Sequence, residues 1–331
     1  MGKKAYQAQK SFKTRFASIF LLIALVVIAL AFQAIQPKFL SLNNVMNLLG
    51  VSSIIGILAL GNMLLMAAGE MSFSIGAQCT MIGAVFGRFL FSAESNNILL
   101  GFIVAMLASA AIGLILAFLT VRIGVPTFVC TLALATIIDG CSQIFNSGTT
   151  LYSPDWPKAF TIMQYRVGGV VPVAFITFVA LAIIIHIVYE KTPFGRHLFA
   201  IGSNPTAAEN CGISVPKLRV IAFVLSSIFC GMGGIVAASY NNSISLTMGS
   251  ELMLPAIAAT TLSATFLQIG KYNVPGVVLS AILMIFIQNG VIAAGYPTYV
   301  KDIVQGILLT VAIALIAIIK EDGLPTVKLE S

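Results

Sequence analysis

The chain alternates between long apolar runs and short polar segments, and this alternation dominates its pattern. Each apolar run is close to the roughly 20 residues that a helix needs to cross the hydrocarbon core of a bilayer. The pattern therefore predicts an all-α polytopic membrane protein with about ten transmembrane helices. We place the predicted spans at residues 16–35, 48–68, 75–91, 101–121, 125–145, 170–189, 220–239, 252–269, 274–293 and 303–319.

A short amphipathic segment precedes the second predicted span. Across residues 41–49, apolar side chains fall on one helical face and asparagines fall on another. This division is typical of a helix that lies in the membrane interface. We therefore predict a short interfacial helix that is separate from the second span.

The largest polar segment, which we call the island, lies between the sixth and seventh predicted spans at residues 190–219. It contains a predicted helix, because Asn204 suits the N-cap and Pro205 suits the first helical position. Gly212 is placed to end this helix about two turns later, and Ile213 can supply the apolar contact that often follows a glycine cap. A plain connecting loop needs no capped helix, so we expect the island to dock a partner.

Composition supports a membrane protein. The chain has 331 residues, of which 59% are hydrophobic and 9% are charged, and its mean hydropathy is +1.02. The formal net charge of +7 does not indicate nucleic-acid binding, because the basic residues lie at the ends of spans and not on one face. The 5 cysteines have no framework spacing, so we predict no disulfide and no metal site.

The basic residues also predict the topology. Lys and Arg concentrate on the cytoplasmic side if the N-terminus lies in the cytoplasm and the spans alternate. We therefore expect one transmembrane domain over residues 1–331, with cytoplasmic segments at 1–15, 190–219 and 320–331. The first apolar run is too long for a signal peptide and lacks a small-residue cleavage site, so we expect it to be retained as a span.

The chain carries no recognisable catalytic or nucleotide-binding motif. Its GK pair, Gly270 and Lys271, is followed by Tyr272 and lacks the upstream glycine of a phosphate-binding loop. His186 and His197 have no carboxylate-rich neighbourhood that would complete a metal site. We therefore predict that the protein is not an enzyme and uses no cofactor.

Two acidic residues near spans are candidates for function, because charge at membrane depth is costly. Glu70 lies in a glycine-flanked break between the second and third spans, where a solvated cytoplasmic turn is the favoured interpretation. The alternative is a functional acid that binds substrate or pairs across an interface. Asp139 lies deeper, in the outer half of the fifth span, and a pair with Arg88 is conceivable although the spacing does not favour it.

The island also carries a family resemblance. Its sequence FGRHLFAIGSNPTAAENCGIS resembles the loop of bacterial permeases for ribose and related monosaccharides, in which FGR, then G-x-N-x-x-A-A, then GI recur. The similarity extends to VPTFVCTLA, GEMSFSIGA and AIAATTLSAT, so it covers essentially the whole chain. The matching island positions are Phe194, Gly195, Arg196, Gly202, Asn204, Ala207, Ala208, Gly212 and Ile213.

The resemblance implies the permease of a binding-protein-dependent ABC importer in the bacterial cytoplasmic (inner) membrane. In that family an extracytoplasmic solute-binding protein delivers the substrate, and a cytosolic ATPase grips the helix of the loop. The permease is one of two membrane subunits, so we expect a second copy or a paralogous permease as partner. By resemblance, the ATPase-coupling residues would be Asn204, Pro205, Ala207, Ala208, Glu209 and Gly212.

Some positions depart from the family pattern. Ser72 stands where the family usually has Asp, and Glu70 stands where it has Gly. Asp139 and Gly140 replace a common Arg-Gly pair. These differences bear on the substrate and on the identity of the second permease.

The expected function is therefore transport of a monosaccharide, either a ribose-like pentose or a hexose. Import of a nucleoside or a furanosyl signalling molecule is an alternative within the same superfamily, and a stand-alone secondary transporter is a less favoured alternative. A path for such solutes needs weakly polar groups that release them again. We choose Asn62, Gln78 and Gln288 as substrate-path residues, although hydrogen bonding between helices explains such side chains equally well.

Overall fold

The computed structural model describes residues 22–91, 97–152, 156–157, 160–267 and 270–321, and this part of the chain is mostly helical. Its α-helices are α1 (Leu22–Ile35), α2 (Leu42–Ala67), α3 (Ile75–Phe91), α4 (Ile98–Ala117), α5 (Thr127–Phe145), α6 (Val173–His186), α7 (Pro193–Ser203), α8 (Pro205–Asn210), α9 (Val215–Asn241), α10 (Met248–Ser263), α11 (Val274–Ala293) and α12 (Thr298–Glu321). Turns of π-helix extend α4 through Phe118–Arg122 and α6 through Ile187–Lys191. A 3₁₀ turn at Thr161–Gln164 precedes a small antiparallel hairpin, β1 (Arg166–Val167) and β2 (Val171–Pro172).

Every predicted span overlaps one of these helices. Within the described part of the chain, 6 helices are long and apolar enough to cross a membrane. They are α2, α5, α9 and α11, together with α4 and α6 when their π-helical turns are included. The chain is therefore a multi-pass membrane protein, and the count of ten spans stays a prediction.

Two of the predicted cytoplasmic segments lie largely outside the described ranges. These are residues 1–15 and the tail from 322 onward, and the beginning of the first predicted span lies outside them as well. Residues 320 and 321 of the predicted tail belong to α12. The last helix therefore continues past the predicted end of the tenth span.

The separate interfacial helix predicted at 41–49 is wrong. Helix α2 runs without interruption from Leu42 to Ala67, so the amphipathic segment forms its first turns. No proline and no left-handed residue falls within this stretch, and therefore nothing ends the helix where the break was predicted.

The all-α expectation is also incomplete, since the chain adds the β1–β2 hairpin in the loop before α6.

The turn between α10 and α11 is organised by Asn273, and it shortens the predicted eighth span. Helix α10 ends at Ser263 instead of 269. The Asn273 Nδ2 donates to the carbonyls of Ser263 at 2.9 Å and Phe266 at 2.6 Å, which satisfies acceptors left at the end of α10. Its Oδ1 accepts from the Gly276 N–H at 2.8 Å and caps α11. One side chain therefore closes one helix and begins the next.

Helix α2 forms the centre of the bundle. Within an apolar stretch of 18 residues, 89% of the residues of α2 are buried, compared with 67% for α9 and 61% for α11. It packs against α6, α9, α10 and α11. In the corresponding stretches of α4, α5 and α6 only 22% to 28% of the residues are buried. These three helices therefore form much of the outer surface of the subunit.

Glycines let α9 and α10 approach α3 at backbone distance. A Cβ atom on Gly234 of α9 would overlap the carbonyl group of Cys79, and one on Gly249 of α10 would overlap the carbonyl group of Gly76. The Gly249 N–H donates to the hydroxyl of Thr80 at 2.8 Å across the same contact. Small residues commonly provide such close helix packing in membranes.

The described loops gather at two opposite ends of the bundle. At the first, the backbones of Leu151 and Ile244 pair, and Arg166 of the hairpin contacts the beginning of α2. We call this the hairpin end. At the second, Gly202 of α7 lies against Gly69 in the turn that follows α2. We call this the island end, because α7 and α8 belong to the island.

Replacing Gly234 with Ala should destabilise the bundle, because the added Cβ atom would overlap a backbone carbonyl group. We expect a loss of about 1–3 kcal/mol in the free energy of unfolding, as is typical of an overpacked core. Thermal unfolding of the purified protein in detergent measures the change. Gly306→Ala is the matched control, since Gly306 of α12 has no atom near its Cβ position. Equal midpoints for the two variants would contradict the close packing.

Candidate functional site at the island end

The island contains two helices, of which sequence reasoning predicted one. Helix α7 begins at Pro193 after the N-cap Thr192, whose hydroxyl accepts from the Phe194 N–H at 3.2 Å. A threonine followed by proline is a recognisable helix start, so this signal was present in the sequence. The residues before Asn204 therefore form a second helix and not an extended connector.

The predicted helix in the second part of the island is confirmed as α8. The Asn204 Oδ1 accepts from the Ala207 N–H at 3.0 Å, so this side chain caps the helix. At the other end, Gly212 has φ of +80°. The N–H groups of Gly212 and Ile213 donate to the carbonyls of Glu209 at 2.8 Å and Ala208 at 3.0 Å. These are the two bonds of a Schellman motif, which requires the left-handed residue that glycine supplies.

Helix α8 rests on its neighbours through one small apolar cluster. Ala208 is 4% exposed and packs with Ile201 of α7 and Val215 of α9. The opposite face of the helix is exposed, and it comprises Pro205, Thr206, Ala207, Glu209 and Asn210. The predicted coupling residues therefore divide into one buried anchor, Ala208, and an exposed surface.

Helix α7 in turn approaches the end of the central helix α2 at a pair of glycines. Gly69 follows α2 with φ of +82°, and a Cβ atom there would lie 3.3 Å from the Cα of Gly202 in α7. A Cβ atom on Gly202 would overlap the carbonyl group of Ala67. Since Gly202 has no room for a Cβ atom and Gly69 has a positive φ that side chains disfavour, the two backbones meet directly at this point.

Glu70 does not lie in water as the favoured interpretation expected. Its carboxylate forms an ion pair with the Nε of Arg219 at 3.1 Å, and the hydroxyl of Thr127 donates to it. The Glu70 and Arg219 side chains are 15% and 30% exposed, respectively. This carboxylate therefore connects the turn after α2 with the beginnings of α5 and α9. The interpretation as a solvated turn is wrong, because the fold places a cation beside the acid.

A second ion pair crosses the island end. The Nζ of Lys271, in the turn before α11, lies 3.4 Å from a carboxylate oxygen of Glu190 at the end of α6. The same ammonium group lies 5.9 Å from the ring centre of Tyr189 and 6.0 Å from that of Phe199 in α7. Both distances are within the range of cation–π attraction. Lys271 therefore joins the turn before α11 to the end of α6 and to α7.

The three predicted path residues are buried or half-buried inside the subunit. Asn62 is 0% exposed and Gln78 is 1% exposed. The Gln78 Nε2 donates to the Ser74 hydroxyl at 2.8 Å, and the Gln288 Nε2 donates to Gln305 at 3.1 Å. Among the described residues, the Oδ1 of Asn62 and the Oε1 of Gln78 have no hydrogen-bond partner. No hydrogen bond in the described chain joins any two of the three.

Asp139 and Arg88 do not form an ion pair in the described part of the chain. Arg88 is exposed near the end of α3, whereas Asp139 is half-buried in α5. Ser72, another position that departs from the family pattern, is 1% exposed, and its hydroxyl lies 3.0 Å from that of Ser74. Among the described residues, no ion pair and no hydrogen bond joins these three side chains to one another.

The hairpin end holds a polar cavity that sequence reasoning missed. Its volume is about 260 Å³, and it is lined by Asn47, Gln164, Arg166, Pro172 and Tyr240. The Arg166 guanidinium donates to Asn43 at 3.1 Å and to Asn47 at 2.6 Å. The two asparagines lie one turn apart at the beginning of α2, which is why the segment looked amphipathic in the sequence.

The comparison with known families decides the class of protein. Residues 44–313 match the family described as branched-chain amino acid transport system / permease component. The chain belongs to this permease family. The match includes α7, α8, both ion pairs and most of the described helices. The protein therefore has a transport role, as the resemblance implied.

Individual permeases are also similar to this chain. The ribose import permease protein RbsC of Escherichia coli K12 is 27% identical over 88% of this chain and 91% of its own length. RbsC of Bacillus subtilis is 28% identical over 91% of each chain. The galactose/methyl galactoside import permease protein MglC of Salmonella typhimurium is 28% identical over 93% of this chain and 96% of its own length. The resemblance to monosaccharide permeases is confirmed.

One solved structure has a similar fold. It is an inward-facing conformation of a metal-chelate type ABC transporter, with a TM-score of 0.51 and 15% identity, and the alignment covers 91% of this chain and 99% of the other. At this identity the likeness shows the fold alone. The chain therefore has the fold of an ABC transporter permease.

The ion pair between Glu70 and Arg219 should be measurable by a double-mutant cycle. With Glu70→Gln, Arg219→Gln and the double variant, we expect a coupling of about 1 kcal/mol, since both side chains are partly exposed. Thermal unfolding in detergent gives the four midpoints, and added salt should reduce the coupling. Lys217→Gln is the matched control, because Lys217 is exposed in the same turn of α9. Full additivity of Glu70→Gln with Arg219→Gln would exclude the pair.

Proposed function

We propose that this chain is the membrane-spanning permease subunit of an ATP-driven importer for a monosaccharide, a ribose-like pentose or a hexose. The observation that carries this proposal is the likeness to ribose and galactose permeases over 88% to 93% of the chain. ATP hydrolysis would belong to a separate cytosolic ATPase, and an extracytoplasmic binding protein would deliver the sugar. The relatives favour neither a nucleoside importer nor a stand-alone secondary transporter.

We place the protein in the bacterial cytoplasmic (inner) membrane as one permease domain over 1–331, with ten spans and both termini in the cytoplasm. The Lys/Arg bias supports a cytoplasmic island. The ion pairs of Arg219 with Glu70 and of Lys271 with Glu190 support it as well. They hold together, at one end of the bundle, loops that the Lys/Arg bias predicts to be cytoplasmic. The hairpin end would then face the binding protein.

Helix α8 is proposed to be the element that the ATPase contacts. Its cap and its Schellman motif give it fixed ends, and Ala208 anchors it to α7 and α9. Helix α7 contacts the turn after α2 through Gly202 and Gly69, without intervening side chains. Movement of the ATPase subunits could thus be transmitted from α8 through α7 to the centre of the bundle.

Asn62, Gln78 and Gln288 are proposed to contribute polar groups to the path in a conformation that opens the subunit. The oxygens of Asn62 and Gln78 without partners support this role, because buried unsatisfied groups gain free energy from a new hydrogen bond. Neutral amides can both donate to and accept from sugar hydroxyls. Weak binding of this kind suits passage, and selection of the sugar would rest mainly with the binding protein.

Replacing Ala207 with Arg should prevent docking of the ATPase, because Ala207 lies on the exposed face of α8 beside its cap. We expect co-purification of the co-expressed ATPase to fall at least about tenfold, as is typical when a bulky charge enters the centre of an interface. Thr150→Arg is the matched control, since Thr150 is exposed at the hairpin end. Ala208→Arg should also uncouple ATP hydrolysis from transport, but for a different reason, because it removes the buried contact that anchors α8 to α7 and α9.

The outcome that contradicts this role is simple to recognise. If Ala207→Arg retains the ATPase and its transport activity while folding like the parent, α8 is not the docking element. The folding of each variant is compared by its thermal midpoint in detergent.

The substrate class can be tested in proteoliposomes that contain the permease, its ATPase and its binding protein. We expect ATP-dependent accumulation of radiolabelled ribose or galactose, and none of leucine or adenosine. Leucine is the informative competitor, because the family description refers to branched-chain amino acids. Accumulation of leucine or adenosine without either sugar would overturn the proposed substrate class.

A further inference from the structure

The polar cavity at the hairpin end lies between three helices, at the point where α6 begins. Arg166 of β1 pairs with Pro172 of β2 in the hairpin, and Pro172 is also the N-cap of α6. Both residues line the cavity of about 260 Å³, and the other lining residues are Asn47 of α2, Gln164 and Tyr240 of α9. The hairpin therefore holds one guanidinium group beside the first turn of a span.

Arg166 has no acidic partner in the part of the chain that the structure describes. The two ion pairs found there both lie at the island end. Arg166 instead donates to the side-chain oxygens of Asn43 and Asn47, which are neutral. These bonds orient the guanidinium and use two of its five N–H groups. A half-buried positive charge with further donors favours an anion in the cavity.

An apolar stripe continues from the cavity along α6. Ile176 lies one turn after Pro172 and is 44% exposed. Exposed apolar residues follow it at helical spacings of four, seven, eight and eleven, namely Ala180, Ile183, Ile184 and Ile187. We call these five residues the α6 stripe. It extends about 16 Å along the helix, close to half of the roughly 30 Å hydrocarbon core. The α6 stripe therefore has the length of an acyl chain in one leaflet.

The side chains around Arg166 place the cavity at the level of the membrane interface. Its neighbours Tyr165 and Val167 are 66% and 50% exposed, and Leu42 at the beginning of α2 is 60% exposed. Tyrosine is enriched where spans meet the headgroups of the bilayer. A guanidinium at this level lies where the phosphate groups of lipids lie.

We propose that the cavity binds the phosphate group of an anionic phospholipid whose acyl chain lies along the α6 stripe. One molecule then satisfies both features, because its phosphodiester accepts from Arg166 while its hydrocarbon covers the stripe. The cavity of about 260 Å³ is smaller than the roughly 300–1,000 Å³ of pockets that enclose a drug-sized ligand, so it fits a headgroup and not a whole lipid. The site does not depend on which solute the protein transports.

The lining also selects among phospholipids. The residues that line the cavity include no carboxylate, so the ammonium group of phosphatidylethanolamine gains no ion pair there and is repelled by Arg166. Phosphatidylglycerol carries hydroxyl groups instead, which can exchange hydrogen bonds with Gln164 and Tyr240. Phosphatidylglycerol is therefore the expected ligand, and phosphatidylethanolamine is the lipid that the site rejects.

Quenching by brominated lipids tests the site on the full chain in mixed micelles of neutral detergent and lipid. Cys141 and Cys211 are first replaced with Ser, because the other three cysteines are buried. A fluorophore is then attached at Ala180→Cys on the α6 stripe, or at Ala111→Cys as the matched control on the exposed face of α4. At position 180, half-maximal quenching should need at least about tenfold less brominated phosphatidylglycerol than brominated phosphatidylethanolamine. At position 111 the two lipids should quench equally.

Arg166→Gln should abolish the preference for phosphatidylglycerol at position 180. Arg88→Gln is the matched control, since Arg88 is exposed at the same end of the bundle, next to Gly87, which lies against Ile244. It should leave the preference unchanged. Arg166→Lys keeps the charge without the planar fork and should retain part of the preference. The thermal midpoint of each variant in neutral detergent without lipid shows whether it folds like the parent.

Four results would overturn the lipid site. The first is equal quenching by the two lipids at position 180 of the parent, and the second is a preference that persists in Arg166→Gln. The third is a parent that glycerol 3-phosphate stabilises against heat while no lipid preference exists, since the cavity would then take a soluble anion. The fourth is weaker docking of the binding protein in Arg166→Gln with an unchanged lipid preference, which would assign Arg166 to that protein.

Discussion

The backbone contact between Gly202 of α7 and Gly69 after α2 is the constraint on which the island end depends. Gly202 has no room for a Cβ atom, and Gly69 adopts a backbone conformation that other residues rarely accept. The contact holds the island against the most buried helix of the bundle. Leu198 of α7, which is buried in the main core, and Phe199, which lies beside Lys271, add to this attachment.

Two ion pairs reinforce this attachment. Glu70 meets Arg219, and Glu190 meets Lys271, so each pair joins a residue before α7 to one after α8. Such partly exposed pairs stabilise a fold modestly, but they are selective for one arrangement of the segments that they join. The two ion pairs therefore suit a group of loops that moves as one unit and keeps the same contacts between its segments.

Polar groups of the spans serve two different purposes in this fold. Asn62 and Gln78 are enclosed within the subunit, whereas Thr136 and Gln143 of α5 are exposed and Asp139 is half-buried. In water an outward polar face would be ordinary, but next to hydrocarbon it requires a wet or protein-covered surface.

The sequence by itself determined the helical spans, the capped helix α8 and the permease family. Each depends on signals within a few residues of one another, namely hydropathy, cap residues and a short motif. Only the tertiary structure decided that Glu70 pairs with Arg219, that α7 meets α2, and that Asn62 and Gln78 are enclosed within the subunit. These features depend on which distant segments pack together, and a single chain's local pattern does not specify that packing. The first turns of α2 are a further example. Their asparagines accept hydrogen bonds from Arg166, which belongs to a hairpin far along the chain, so the local pattern alone did not reveal their role.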